Sequence, residues 1–92
     1  MPIIEREVTI VNKYGLHARP AMQVVELANG NACKIELSTN TLAVDAKSIM
    51  SVMRLGAAHG TVLKILADGE DAEAAVQAIA DLIEQGFGEE LA

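Results

Sequence analysis

The spacing of hydrophobic and polar residues predicts four elements in the first half of the chain. Residues 4–11 are rich in β-branched side chains, and Val8 lies two positions before Ile10, as on one face of a strand. From residue 18 to 28 the apolar spacing becomes helical. Residues 33–37 alternate between apolar and polar side chains, and we expect a hairpin to return through 42–44.

The same spacing predicts three more elements in the second half of the chain. Ser48 is a typical N-cap for a short helix over residues 49–55. A strand over 61–67 follows, and Asp71 can cap a last helix over residues 72–83. The order β-α-β-β-α-β-α indicates an α+β layer fold, in which helices cover one face of a mainly antiparallel sheet.

Length and composition restrict the kind of protein. The chain has 92 residues and a mass of 9.7 kDa, which predicts a single domain over residues 1–92. No apolar run approaches the roughly 18 residues of a membrane span. The first ten residues include charged Glu5, Arg6 and Glu7, so the apolar stretch of a secretory signal is missing. We therefore expect a cytoplasmic protein without membrane insertion, and a single cysteine fits a reducing compartment.

The charge distribution argues against a nucleic-acid partner. The net charge is -6, and from Asp68 onward there are eight acidic residues and no Lys or Arg. The first 67 residues carry seven basic and five acidic side chains. Nucleic-acid binders show a basic face and aromatic stacking platforms, whereas Tyr14 and Phe87 are the only aromatic residues here. An acidic protein partner would fit the first two thirds of the chain better.

The segment 15–21, Gly-Leu-His-Ala-Arg-Pro-Ala, carries the strongest chemical signal. Pro20 fits only the first turn of a helix, which places His17 at or beside the N-cap. Backbone N–H groups and the helix dipole make such a position a phosphate site, and Arg19 adds a guanidinium suited to phosphate oxygens. A neutral imidazole there can attack phosphorus with its nitrogen lone pair.

Other interpretations of these residues remain. His17 taken alone is more often a plain helix-capping histidine, and only its combination with Arg19 and Pro20 favours phosphate chemistry. A metal site has little support, because His59 lies in a different predicted loop. A Cys-His hydrolase has even less support, because Cys33 falls in a predicted strand. We expect Cys33 to be an inert core thiol, and no metal or cofactor to be required.

The predicted short helix is too apolar to bury every large side chain. Val52 and Leu55 share one face and can point to the core, whereas Met50 and Met53 share another face, flanked by Ile49. Flexible methionines on a surface suit a site that accepts several partners. The alternatives are that the methionines fill gaps in the core and that Ser48 is only a helix cap.

Two segments together resemble the HPr family, the histidine-containing phosphocarrier proteins of the bacterial phosphotransferase system. They are Gly-Leu-His-Ala-Arg-Pro-Ala at residues 15–21 and Ala-Lys-Ser-Ile-Met-Ser-Val-Met at 46–53. The resemblance extends over almost the whole chain. It implies an open-faced β-sandwich, with a four-stranded antiparallel sheet covered on one face by three helices.

The resemblance also implies site residues and partners. His17 matches the histidine that enzyme I phosphorylates on Nδ1, with phosphate derived from phosphoenolpyruvate, and Arg19 matches the neighbouring arginine. Ser48 matches a serine modified by a kinase/phosphorylase in some lineages. The partner-binding patch is matched by Ile49, Met50 and Met53. The implied protein is a carrier that passes phosphate to enzyme IIA components in sugar uptake or its regulation, and it is not an enzyme by itself.

The end of the chain resembles a second branch of the family. Residues 85–90, Gln-Gly-Phe-Gly-Glu-Glu, look somewhat like members of the nitrogen-related regulatory branch. The alternative function is therefore a regulatory protein that acts through Ser48 phosphorylation and through binding of regulatory proteins.

Overall fold

The computed structural model describes residues 3–92, so the first two residues of the predicted domain lie outside it. The described strands and helices follow one another in the predicted order. They are β1 (Ile3–Thr9), α1 (Ala18–Asn29), β2 (Lys34–Ser38), β3 (Ala43–Asp45), α2 (Ile49–Met53), β4 (Val62–Asp68), α3 (Ala72–Glu84) and a 3-10 turn over Gly86–Gly88.

The four strands form one antiparallel sheet in the order β1-β4-β2-β3. β4 lies between β1 and β2, with Leu66 opposite Glu5 on one side and Glu36 on the other. The sheet and its three helices confirm the predicted α+β, open-faced fold. The arrangement leaves β1 and β3 as edge strands.

The period-two pattern of β4 separates the two faces of the sheet. Leu63, Ile65 and Ala67 are fully buried, whereas Val62 and Lys64 point to the uncovered face and are exposed. α3 packs over β1 and β4, and α1 packs against both α2 and α3. The helical layer therefore covers the apolar face, and burial of each large side chain there stabilises the fold by about 1.5–3 kcal/mol.

Two element ends differ from the sequence prediction. β1 ends at Thr9 rather than residue 11, and the chain beyond it pairs with another partner, since Asn12 forms a bridge with Leu91. α2 ends at Met53 rather than residue 55, and Leu55 N–H donates to Val52 O in a tighter turn. Both ends are set by contacts that the local apolar pattern does not contain.

The predicted cap of α3 is the clearest structural correction. Asp71 is the N-cap residue of α3, but its side chain forms no cap hydrogen bond. The carboxylate instead accepts hydrogen bonds from the backbone N–H groups of Ala32, at 2.7 Å, and Cys33, at 2.9 Å. Asp71 therefore ties the start of α3 to the chain entering β2. α1 ends at Asn29, and Gly30 is its C-cap residue, with a right-handed backbone.

Within residues 3–92, no helix combines the length and the apolar character that crossing a membrane requires.

Candidate functional site

A tight turn before α1 presents the candidate site. Gly15 has a φ of +70°, and a Cβ atom there would lie 2.6 Å from the Ala57 carbonyl oxygen and 2.9 Å from the Ala58 Cα. Only glycine fits this close approach without a shift of backbone. The neighbouring Leu16 N–H donates to Ala57 O at 2.8 Å, so the turn is fastened to the loop before β4.

His17 is the N-cap residue of α1, as the position of Pro20 predicts. Its backbone is extended, with φ −83° and ψ −169°, and its side chain makes no cap hydrogen bond. The imidazole is 42% exposed. Among residues 3–92, nothing accepts a hydrogen bond from the backbone N–H groups of Ala18 and Arg19. The start of α1 therefore keeps two N–H donors beside an accessible imidazole.

The imidazole is held by a carboxylate from the other end of the chain. His17 Nε2 lies 2.9 Å from Glu89 Oε1. The same Glu89 oxygen accepts a hydrogen bond from Asn12 Nδ2 at 3.0 Å, and Asn12 Nδ2 also donates to Gly15 O at 2.7 Å. Asn12 is fully buried, and the Glu89 side chain is 12% exposed. One amide therefore aligns both the carboxylate and the turn that carries His17.

The charge state of Glu89 decides where the imidazole proton lies. The hydrogen bond from His17 holds the pKa of the Glu89 carboxyl below its ordinary value. Partial burial opposes this shift, while the Asn12 amide and the positive charge of Arg19 add to it. An ionised carboxylate can only accept hydrogen bonds, so Nε2 is the donor. Nδ1, which has no hydrogen-bond partner among residues 3–92, keeps its lone pair in the neutral ring.

Glu89 belongs to a segment that we call the C-terminal strap, residues 86–92. The strap pairs with the chain before the site, because Lys13 N–H donates to Glu90 O at 2.9 Å and Asn12 forms a bridge with Leu91. Phe87 is buried with a φ of +60°, a conformation that is strained for a residue other than glycine. Burial of its ring in the hydrophobic core therefore anchors the strap.

Arg19 and Tyr14 flank the imidazole. The Arg19 side chain is exposed, and within residues 3–92 it forms no ion pair, so its guanidinium is available to a phosphate. The exposed Tyr14 ring meets the His17 ring edge-on, with the centroids 6.4 Å apart. The ammonium group of Lys13 lies 5.5 Å from the centre of the Tyr14 ring. The mouth of α1 therefore carries two cationic side chains.

The predicted partner surface is accessible. Met50 is 74% exposed and Met53 is 40% exposed, whereas Val52 on the opposite face is fully buried. Ile49 is half-buried against the core. Exposure of the two methionines was predicted and is confirmed. We call Ile49, Met50 and Met53 the α2 patch.

Ser48 lies at the start of α2, beside the α2 patch. Its Oγ atom accepts a hydrogen bond from Ser51 N–H at 3.3 Å, which confirms that it is the N-cap residue. Its side chain is half-buried. The cap explains the presence of serine by itself, so the structure leaves a regulatory role as a prediction.

Cys33 and His59 form no hydrogen bond with Asn12, His17 or Glu89 within residues 3–92. Cys33 is 3% exposed, and burial, followed by the hydrogen bond to Asp71, raises the pKa of its thiol. This environment agrees with an inert core thiol. His59 is exposed in the loop before β4. In the part of the chain that the structure describes, no three His, Cys, Asp or Glu side chains come close enough to hold a metal ion.

Three residues of the site were not found from the sequence, namely Asn12, Tyr14 and Glu89. Asn12 and Tyr14 lie in the turn that precedes His17. The burial of Asn12 marks it as part of the site, and burial could not be predicted from the sequence. Glu89 is 72 residues away from His17. Its single local signal is the Gly-Phe-Gly run before it, which bends the chain back through left-handed backbone conformations.

Comparisons with known proteins agree with this geometry. Residues 4–85 match the family model PTS-HPr, described as the PTS HPr component phosphorylation site. A phosphocarrier protein HPr of Xylella fastidiosa is 43% identical over 88 residues, which cover 96% of this chain and 99% of that protein. The HPr of Cupriavidus necator is 41% identical over 87 residues, which cover 95% of this chain and 98% of that protein. The crystal structure of HPr-C-His from Thermoanaerobacter tengcongensis has a TM-score of 0.91 at 46% identity, covering 96% of this chain and 99% of that chain.

Proposed function

Because the chain belongs to the HPr family of phosphocarrier proteins of the phosphotransferase system, we propose that His17 carries the phosphoryl group. In this proposal enzyme I, charged from phosphoenolpyruvate, phosphorylates His17 on Nδ1. His17 then passes the group to an enzyme IIA protein. The whole chain, residues 1–92, acts as one carrier domain in the cytoplasm, and it turns over no small-molecule substrate by itself.

One observation carries the proposal: an exposed imidazole lies at the N-terminus of α1, beside two backbone N–H groups that have no acceptor among residues 3–92. The lone pair of Nδ1 forms the new bond to phosphorus. The bond between phosphorus and the donor nitrogen of enzyme I breaks, and its electron pair stays on that donor. In the transition state negative charge spreads over the three phosphoryl oxygens, where N–H groups of Ala18 and Arg19 can donate.

Arg19 supplies the second element of the phosphate site. Arg19 is the second residue of α1, and its guanidinium forms no ion pair with an acidic side chain among residues 3–92. A single arginine and one helix end stabilise phosphohistidine moderately, without the strong binding of a metal ion. Moderate binding suits a carrier, because the phosphoryl group must leave again for the next protein.

The α2 patch is the proposed docking surface for enzyme I and enzyme IIA proteins. Its exposed methionines can adapt to partners of different shape. The basic residues of the chain all precede Asp68, so acidic partners are attracted to the part of the chain that carries His17 and α2.

Ser48 is the proposed regulatory residue. Phosphorylation by a kinase/phosphorylase would add about -1.5 to -2 charges beside the apolar α2 patch. That charge must be desolvated, or brought near acidic groups, when enzyme I binds. We expect it to weaken docking while the fold persists. If the chain instead belongs to the nitrogen-related branch, this serine and the patch would carry the regulatory function.

A chase experiment tests the carrier function. The chain is labelled with enzyme I and phosphoenolpyruvate, freed of both, and mixed with a purified enzyme IIA protein. We expect acid-labile phosphate on the chain to move to the enzyme IIA protein, and we expect the His17→Ala chain to receive none. A wild-type chain that is never labelled would contradict the proposal, and so would a label that survives in His17→Ala.

A further inference from the structure

We infer that Glu89 is a positioning residue for the phosphoryl transfer, because it keeps the imidazole proton on Nε2 and so leaves Nδ1 as the nucleophile. The inference rests on the proposed function, since it concerns the same histidine. It assigns a role to a side chain that neither sequence motif contains.

The first support is the hydrogen-bond geometry. Glu89 Oε1 accepts from His17 Nε2 at 2.9 Å and from Asn12 Nδ2 at 3.0 Å. A neutral imidazole has two tautomers, and a carboxylate acceptor stabilises the one with its proton facing the carboxylate. Because the Glu89 side chain is 12% exposed, water competes little for this bond.

The second support is the way the fold holds the carboxylate. Asn12 is fully buried, and its amide also donates to Gly15 O at 2.7 Å, so the amide orientation is fixed from the turn side. On the other side, the C-terminal strap is held by the hydrogen bond from Lys13 N–H to Glu90 O. The buried Phe87 adds an anchor before Glu89. The carboxylate is therefore preorganised and does not have to be recruited from solvent.

The chemistry of the transfer gives this arrangement a purpose. When the lone pair of Nδ1 bonds to phosphorus, the proton stays on Nε2 and the ring becomes an imidazolium, whose positive charge faces the Glu89 carboxylate. When the phosphoryl group leaves for the next acceptor, the electron pair of the N–P bond returns to Nδ1. The leaving group is then a neutral imidazole with the same Nε2 proton. No proton has to be gained or lost in either direction.

The test measures the tautomer directly on the unphosphorylated protein. ¹⁵N chemical shifts of the His17 ring, recorded at alkaline pH where the imidazole is neutral, give the ratio of the Nε2–H to the Nδ1–H form. In Glu89→Ala we expect this ratio to fall about tenfold, the size of effect that loss of a charge-assisted hydrogen bond produces. In Glu89→Gln the side-chain oxygen can still accept both hydrogen bonds, so the ratio should stay near that of the wild type.

The rates of phosphorylation by enzyme I complete the test. We expect Glu89→Ala to slow phosphorylation of His17 about tenfold. Glu89→Gln should give an intermediate rate, because it keeps the tautomer and loses the negative charge that faces the imidazolium. The matched control is Glu90→Ala, which removes the adjacent carboxylate that pairs with Lys13 and leaves His17 untouched. It should keep both the wild-type ratio and the wild-type rate.

Two results would overturn the inference. One is a Glu89→Ala chain with the wild-type tautomer ratio, and the other is a Glu90→Ala chain whose tautomer ratio and phosphorylation rate fall as far as those of Glu89→Ala. Failure of the proposed function looks different. A wild-type chain that enzyme I leaves unphosphorylated contradicts that function, whereas the tautomer ratio still decides the role of Glu89.

Discussion

At the scale of the residue, the two ring nitrogens of His17 have different surroundings. Nε2 donates to Glu89, while Nδ1 has no partner within residues 3–92 and lies at a helix start that offers two N–H donors. The asymmetry separates the part of the ring that is held from the part that reacts. It also explains why the histidine does not use its side chain as a helix cap.

Replacement of Arg19 tests the electrostatic part of the phosphate site. Arg19→Ala should slow phosphorylation of His17 about tenfold to a hundredfold, because a charged hydrogen bond contributes about 1.5–3 kcal/mol. Labelling should not vanish, since the backbone N–H groups remain. Rapid-quench kinetics with enzyme I measure the rate. The control Lys34→Ala removes an exposed basic residue of β2, and Arg19 has no place in the site if Arg19→Ala transfers phosphate as fast as this control.

The sequence contains enough local information to predict His17 and its helix. Pro20 restricts the first turn of α1, so the histidine three residues earlier is placed within a residue or two. Glu89 has no such local marker, because its contact with His17 depends on where the strap crosses the turn before α1. The place of Asn12 in the site could not be predicted for the same reason, because Asn12 pairs with Leu91 near the other end of the chain.

At the scale of the element, α2 divides its side chains between the core and the partner surface. Val52 is fully buried while Met50 and Met53 are exposed on the same two-turn segment. The helix is only five residues long, so packing of Val52 and the Ser48 cap hold it rather than its own backbone hydrogen bonds. The patch can therefore be changed without unfolding the domain, provided that Val52 is kept.

Met53→Glu tests the α2 patch. We expect about tenfold weaker binding to enzyme I and a change in stability within about 1 kcal/mol, because Met53 is 40% exposed. Calorimetric titration and thermal melting measure the two effects. Val62→Glu, at an exposed position on the uncovered face of the sheet, is the matched control and should leave binding unchanged. Collapse of the melting temperature in Met53→Glu would show that the methionine supports the core.

Variants of Ser48 separate its role as a helix cap from its proposed regulatory role. Ser48→Ala loses the bond from Ser51 N–H and should cost about 0.5–2 kcal/mol in stability, with His17 phosphorylated at nearly the wild-type rate. Ser48→Asp keeps a capping oxygen and adds charge beside the patch, so it should slow phosphorylation several-fold. The comparison is made at matched ionic strength. Equal rates for the two variants, with both folded, would leave Ser48 as a helix cap only.

Most elements could be predicted from their own periodicity, and the exceptions depend on contacts that the apolar pattern does not contain. β1 and α2 are each shorter than the apolar pattern suggests, because Asn12 pairs with the strap and α2 closes in a tight turn. Asp71 has the right type and position for a helix cap, yet its carboxylate is used by Ala32 and Cys33. For β1 and Asp71 the deciding contact is distant in sequence, whereas α2 ends in a bond between residues only three positions apart.

At the scale of the whole molecule, contacts between distant parts of the sequence hold the C-terminal strap and the start of α3 in place. The strap fastens the carboxyl end to the turn that carries His17, and Asp71 joins α3 to the start of β2. Arg6 on β1 pairs with Glu84 on α3 across the helix-sheet layer. The site thus depends on closure of the complete fold, although His17 itself is exposed.

Asp71 predicts a pH dependence of folding. The Cys33 thiol, and then the backbone N–H of Ala32, hold the pKa of Asp71 below its ordinary value of 3.8. A lowered pKa stabilises the folded chain above the unfolded value, and this contribution is lost as the pH falls through the folded pKa. Asp71→Asn should therefore be less stable than wild type at pH 7, with the difference shrinking below about pH 4.

Denaturant unfolding across this pH range checks the prediction. Glu70→Gln, at an exposed position one residue earlier, is the control and should behave like the wild type. A stability difference between Asp71→Asn and wild type that is equally large at pH 3 and pH 7 would contradict the ionic role of the carboxylate.

The central claim is that His17 carries the phosphoryl group, and intact-mass spectrometry after incubation with enzyme I and phosphoenolpyruvate tests it most directly. The account predicts that the wild-type chain gains one acid-labile phosphoryl group. His17→Ala, which should remain folded because an exposed cap position contributes at most about 1 kcal/mol, should gain none. An unmodified wild-type chain, or equal phosphorylation of the His17→Ala chain, would contradict it.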